Sequence, residues 1–313
     1  MIKMFGILKN NILYYGTSLI GLSHVKKGSV CQDASKAKKL VNGWVVAAVA
    51  DGVGSAKHSE IASNLAVDTV VEFCNNRINK HTIFNDLQNI ILDAYKEAEK
   101  NIENYASSHE DSIIEYDTTL SMIIYDGEKI AYGHSGDGGI VGLTMDGEYI
   151  KITEPQKAED NICVIPLRAG EKSWVIGKYT LPLASVLLAT DGIYDTFFPY
   201  LLKGQESEIY VPLVRFFMDN NYIRISDSNI NDIEKNKIEF LQSPAYDAVT
   251  DDKTLLVVFN SKAFPALKEE SYYLEPDWDR LQLEWNKKAY PHLYNQPMED
   301  NKDKEENATS EEK

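Results

Sequence analysis

Five Asp-Gly pairs punctuate the chain, at Asp51, Asp126, Asp137, Asp146 and Asp191. Asp126-Gly127 and Asp146-Gly147 stand between alternating segments of similar length and need only type I′ hairpin chemistry. Asp51-Gly52 and Asp191-Gly192 differ. Each ends a segment too apolar to have a solvent face, "VVAAVA" before Asp51 and "SVLLAT" before Asp191, and each precedes a helical pattern rather than a returning strand. Asp137-Gly138 lies in "HSGDGG", which holds more glycine than a two-residue turn requires. Asp33 in "CQDAS" and Asp251 in "TDDKTLLVVF" also stand at strand edges. A cap or a turn explains any one such aspartate, but less well a set that shares the pattern. If packing brings these ends together, the carboxylates repel one another and some must stay protonated, unless cations neutralise them. All-oxygen ligands without Cys or His favour Mg²⁺ or Mn²⁺ over zinc. Two such ions, about 4 Å apart and sharing a carboxylate and a water, would supply a hydroxide for in-line attack on phosphorus. The carbonyl of Gly52 offers a further ligand, because glycine lets the main chain approach closely.

A rival reading takes "ADGVGS" as a nucleotide-binding loop leading into a helix N-terminus. Against it, GxxxxGK[ST] and GxGxxG are both absent. The hairpin-rich stretch that follows also does not suit a parallel doubly wound sheet.

The elements that must position these residues are legible in part. Val45–Ala50 reads as a strand buried on both faces, and 61–73 as a helix. The segment "NDLQNIILDAYKEAEKNIENY" is a clearer helix: Leu87, Ile90, Ile91, Ala94, Ala98 and Ile102 form one stripe, with Asn85 or Thr82 as its cap. From Thr118 to Thr153 the pattern is an antiparallel meander, and "SVLLA" and "TLLVVF" add buried strands. Helices are expected at 206–219 and 228–242. Hairpin-linked strands followed by paired helices predict an α+β fold with two sheets sandwiched and flanked by helices.

The bulk numbers fit this. The chain has 313 residues, 43% hydrophobic and 26% charged, which is enough for one large domain or two small ones. Its formal net charge of -16 disfavours nucleic acid and anionic membrane as partners and favours divalent cations. Cys31, Cys74 and Cys163 are far apart and suit a reducing cytoplasm. The opening "MIKMFGILKNNILYYG" is broken by lysines and asparagines, unlike a signal peptide. No apolar run approaches the ~20 residues of a membrane span. The expectation is a soluble cytoplasmic protein.

The ordered set "GLSHVKKGSVCQDAS", "VVAAVADGVGSAKHSEIAS", "YDTTLSMIIYDGEKIAYGHSGDGGIVGL", "LLATDGIYD" and "DDKTLLVV" resembles the metal-dependent serine/threonine protein phosphatases of the type 2C family, in their bacterial branch. The match runs from Gly16 to Phe259. The resemblance implies a four-layer α-β-β-α sandwich of two antiparallel sheets. It also implies hydrolysis of phosphoserine and phosphothreonine by a metal-bound hydroxide, with two Mn²⁺ or Mg²⁺ ions. By resemblance, Asp51 bridges both ions, the Gly52 carbonyl ligates the second, and Asp191 and Asp251 ligate the first. Asp33 holds a metal-bound water, and Asp137, Asp191 and Asp195 form the third, weaker site of several members. Asp252 stands where the family usually has Asn and ranks below Asp251.

Two positions depart from the family pattern. The family's phosphate-binding Arg is replaced by Gly28, leaving His24, Lys26 and Lys27 as candidate phosphate donors. A lysine is a point charge where Arg offers a planar fork. Val53 stands where animal members carry a His. His58, one turn into its helix, reads as a surface residue, and His134 as structural. The missing Arg motivates an alternative: a catalytically weak phosphoprotein-binding protein or a partner-gated regulatory pseudophosphatase. Along the chain, 1–262 is the expected phosphatase domain, with helices and a flap within 197–250. Residues 263–295 form an aromatic and charged extension, docked on the domain or recruiting a partner through Trp278 and Trp285. Residues 296–313 form an acidic disordered tail. The implied partner is a phosphorylated protein, with a cognate Ser/Thr kinase or regulator beside it.

Overall fold

The computed structural model describes residues 11–158 and 163–294. The expected tail at 296–313 and the first ten residues lie outside this range. The chain opens with β1 (Ile12–Leu19), the short α1 (Leu22–Lys27), β2 (Ala34–Lys39) and β3 (Val45–Ala50). Two long helices follow, α2 (Ser59–Arg77) and α3 (Leu87–Ser108). Then come β4 (Leu120–Tyr125), β5 (Ile130–Ser135), β6 (Gly139–Thr144), β7 (Tyr149–Lys151), β8 (Val175–Tyr179) and β9 (Leu183–Ala189). After α4 (Asp191–Phe197), α5 (Val211–Met218), α6 (Asn220–Ile223) and α7 (Ile230–Leu241), β10 (Lys253–Asn260) completes the sheets. The extension adds α8 (Trp278–Ala289) and α9 (Pro291–Tyr294).

Two five-stranded sheets result, in the orders β1-β10-β9-β6-β7 and β2-β3-β4-β5-β8. Neighbouring strands are antiparallel throughout. Three apolar layers explain why the central strands β3, β4, β6, β9 and β10 have no solvent face. Val45, Ala47, Val49 and Ile123 from one sheet meet Ile140, Val186, Leu188 and Val258 from the other. On the outside, α2 and α3 bury Val67, Val70, Ile91 and Tyr95 against the β2–β8 sheet. Helices α4, α5 and α7 bury Ile193, Val214, Phe217 and Leu241 against the β1–β7 sheet. Each fully buried Leu or Phe of this kind contributes about 1.5–3 kcal/mol. The expected α+β four-layer sandwich is the observed fold.

The expected meander is two hairpins in different sheets. β4 pairs with β5, but β6 pairs with β7 and β9. The chain crosses between sheets at Ser135–Gly139, which accounts for the excess glycine. Gly136 has φ +122°, and a Cβ there would meet the Thr119 side chain at 2.4 Å.

Several local expectations are corrected. Asp126 and Asp146 are not in type I′ turns, which need positive φ at both central residues. Among the described residues only the glycines of these pairs have it. The first hairpin instead uses an Asx turn, with Asp126 Oδ1 accepting from the amides of Glu128 and Lys129. Neither Asn85 nor Thr82 caps α3, because a 3-10 turn at Phe84–Asp86 leads into it and Asp86 holds the cap position. His58 is the N-cap residue of α2 rather than lying within it, and its Nε2 is 3.5 Å from Asp111. The helix expected at 206–219 starts only at Val211, with Pro212 in its first turn.

The stretch 197–250 carries the packed outer helix layer, because α5 and α7 each present an apolar face to the sheet. The extension is docked: Trp278 packs edge-on against Tyr210, Trp285 against Tyr200, and Leu281 is buried. No helix among the described residues is long and apolar enough to cross a membrane.

Candidate metal centre

Strand register sets the site. In the β1–β7 sheet, Ala189 of β9 lies opposite both Gly139 of β6 and Leu255 of β10. The ends of these central strands are therefore level. Asp137 just before β6, Asp191 just after β9, and Asp251 just before β10 share one edge of the sandwich. In the other sheet, Ala34 pairs with Ala50, which sets Asp33 across from Asp51. Face-to-face packing then brings the two sets together: Asp51, Asp137 and Asp191 each offer a carboxylate oxygen, and the three oxygens lie within 4.8 Å of one another.

The backbone around these carboxylates is tightly held. The Asp51 amide donates to Thr119 Oγ1, and the Asp51 carbonyl accepts from the Thr118 hydroxyl and the Thr119 amide. Val53 donates its amide to the Asp117 carbonyl. Arg168 grips the Asp117 carboxylate with two hydrogen bonds of 2.6 and 2.7 Å. Asp191 opens α4 beside β10, where Gly192 is required: a Cβ there would lie 2.1 Å from the Asp252 carbonyl.

Electrostatics match the crowding. Burial, reinforced by Asp33, Asp191, Asp137 and Asp251, holds the Asp51 carboxyl well above the usual range. Burial, then the charges of Asp137, Asp251 and Asp195, pushes Asp191 up to about 7. Asp33 is likewise pushed up to about 7 by burial, although the Thr190 hydroxyl donates to its Oδ2 at 2.8 Å. Burial also raises Asp137, opposed by Lys157, whose Nζ is 3.7 Å from Asp137 Oδ2. Such carboxyls hold protons near neutrality unless cations replace them. A converging set of hard oxygen donors without sulfur or imidazole fits Mg²⁺ or Mn²⁺. Burial pushes the nearby Cys31 thiol up to about 12, so it stays protonated and is a poor ligand.

The remaining candidates occupy the surroundings. Asp195 lies one helical turn beyond Asp191 on α4. Asp252 is committed elsewhere: its carboxylate accepts from the Gly21 amide (2.6 Å), the Gln32 amide (2.6 Å) and His24 Nδ1 (2.9 Å). It therefore ties the α1 loop to the start of β10 and, through Nδ1, fixes the ring of His24. Lys26 and Lys27 are exposed in the last turn of α1, and Gly28 caps that helix in the left-handed conformation. His134 is buried, which pushes it down to about 4. Its Nε2–H donates to the Glu154 carbonyl and its Nδ1 accepts from Ser121. That is a structural neutral imidazole. A cleft of about 840 Å³ lies elsewhere, between Leu202–Pro212 and the extension, and contains none of these carboxylates.

Lys157, Arg168 and the Asp252–His24 contact were not legible in local sequence. Each depends on a partner between 20 and 228 residues away, and no spacing signals it.

The model of one family, protein phosphatase 2C, matches residues 20–224. Among solved structures, the serine/threonine phosphatase PstP of Mycobacterium tuberculosis is 17% identical with a TM-score of 0.56, over 82% of this chain and 99% of that one. The PstP catalytic domain in complex with two manganese ions gives 17% identity and a TM-score of 0.54, over 79% of this chain and 97% of that one. A serine/threonine phosphatase from Staphylococcus aureus gives 14% and 0.56, over 79% and 94%. At these identities the likeness is one of fold. No curated protein matches the chain.

Proposed function

The chain belongs to the protein phosphatase 2C family, and from that premise we propose that it is a bacterial-type, Mn²⁺- or Mg²⁺-dependent phosphatase that hydrolyses phosphoserine and phosphothreonine in proteins at a binuclear centre. The observation that carries this reading is the meeting of Asp51, Asp137 and Asp191 from three separate segments, with carboxylate oxygens within 4.8 Å.

Asp51 would be shared by both ions, the Gly52 carbonyl would complete the second, and Asp191 and Asp251 would hold the first. Bound there, the ions would supply a hydroxide nucleophile near neutral pH and neutralise the phosphoryl oxygens. The chain's own groups do the rest. Asp33, buried and hydrogen-bonded by Thr190, would orient a water and hold its proton. Thr118 and Thr119 keep the Asp51 backbone from moving as charge develops. Lys26 and Lys27, exposed at the end of α1, would meet the substrate phosphate, and Asp252 would set the orientation of His24 for the same task. A phosphorylated protein is the substrate, and its cognate kinase or regulator is the natural partner.

The test is hydrolysis of p-nitrophenyl phosphate and a phosphothreonine peptide with Mn²⁺, with Mg²⁺ and with EDTA, in wild type and Asp191→Ala. Turnover that requires metal and disappears in the variant supports the reading. A folded wild type that binds Mn²⁺ but turns over neither substrate would overturn it in favour of a partner-gated binding protein.

A further inference from the structure

The carboxylates at this end of the sandwich outnumber the ligands assigned to two divalent ions. Asp33, Asp51, Asp137, Asp191 and Asp251 act on one another, and Asp195 joins them through Asp137 and Asp191. Among the described residues, Lys157 is the cation within ion-pair distance of the set, and its charge acts on both Asp137 and Asp195. Those two residues border the outer position to which the resemblance assigns a third ion.

The Lys157 side chain is exposed, but its backbone is fixed in place. Its neighbour Gln156 donates its amide to the Gly136 carbonyl and accepts the Gly136 amide with Oε1, and its Nε2 donates to the Ser173 carbonyl. The Ile165 amide closes on the Gln156 carbonyl, and the Ala158 amide on that of Cys163. Lys157 itself forms a β-bridge with Val164. The stem of the loop thus presents the ammonium to the residue that follows Gly136. A lysine is a compact, strongly hydrated charge on a flexible stem, so it can neutralise a carboxylate without adding Lewis-acid chemistry.

Resting on the two-ion reading of the centre, we propose that Lys157 is a tethered cation that fills the third position, so that this chain takes up two divalent ions and balances Asp137 and Asp195 with its own ammonium. An ammonium beside Asp137 Oδ2 competes with a third divalent ion for that oxygen, while the other oxygen stays available to the two-ion centre. The chain then differs from relatives that recruit a third ion there, in that its outer position is satisfied whatever the metal concentration.

The experiment counts ions rather than turnover. Mn²⁺ binding to the full chain is measured by isothermal titration calorimetry and by the electron paramagnetic resonance signal of free Mn²⁺. Wild type, Lys157→Met and Lys157→Arg are compared, with melting curves as a check on folding. Two equivalents are expected in wild type and Lys157→Arg, and a third, weaker equivalent in Lys157→Met. Lys157→Gln repeats the count if the Met variant melts early. Equal stoichiometry in wild type and both uncharged variants overturns the role of Lys157 and leaves the two-ion centre standing. No Mn²⁺ uptake in any of these proteins overturns the centre itself, and this inference with it.

Discussion

The two ends of the sandwich are built from the same dipeptide and do opposite things with it. At one end Asp126-Gly127 and Asp146-Gly147 turn hairpins, and the Asp126 carboxylate is satisfied locally by the amides of Glu128 and Lys129 at 2.9 and 2.7 Å. At the other end Asp51-Gly52, Asp137-Gly138 and Asp191-Gly192 leave their strands for a helix or for the opposite sheet. Their carboxylates face one another rather than their own turns. Asp126, whose strand returns, commits its carboxylate to its own backbone. An Asp-Gly whose chain moves to another layer leaves its carboxylate for a shared purpose.

The difference is open to direct attack. The largest effect is expected from Asp191→Ala, which should lower kcat/KM by on the order of 10³-fold if metal-supplied stabilisation of several kcal/mol is lost. Asp126→Ala should leave it unchanged. Similar losses in both variants would erase the distinction between the ends.

A second effect concerns acid. His134 lies at the carboxylate end, and its folded value of about 4 is below the ordinary 6.5, so the unfolded chain binds the extra proton first. Its contribution is complete above pH 6.5 and is lost as the pH falls toward 4, by up to about 3 kcal/mol. Denaturant unfolding at pH 7.5 and pH 5 should show a smaller loss in His134→Asn than in wild type. An equal loss would mean that the imidazole is not held neutral.

Metal should stabilise one end only. At a free Mn²⁺ concentration 100 times its dissociation constant, the gain is about 2.7 kcal/mol. Differential scanning calorimetry should find that gain in wild type and Asp126→Ala and not in Asp51→Ala. The smallest effect is the structural one. Asp126→Ala removes two hydrogen bonds at a turn and should cost about 1 kcal/mol in denaturant unfolding, with no change in Mn²⁺ affinity.

Much of the centre could be read from strand ends. The apolar runs ending at Ala50 and Thr190 have no solvent face, so an aspartate after each stands out. Helix α3 was equally legible, because its stripe from Leu87 to Ile102 is the buried face. What escaped was long-range. The crossing at Ser135–Gly139 looks like a hairpin in sequence, since alternation sets the strands but not which sheet receives them. The caps of α3 and the start of α5 shifted because 3-10 turns and Pro212 are local choices settled by packing. Asp252 resembles a second ligand beside Asp251. Only its distant donors, the amides of Gly21 and Gln32 and the ring of His24, identify it as a clamp.

By itself the sequence determined the periodicity of the elements, the burial of the strands and the positions at which carboxylates would be left at their ends, because these follow from local pattern and side-chain chemistry. Tertiary structure alone decided which carboxylates share one small volume. That depends on the level register of β6, β9 and β10, on the face-to-face packing that adds Asp51, and on a loop whose stem sets Lys157 against Asp137. A register one residue different would leave every aspartate in place along the chain and take the centre apart.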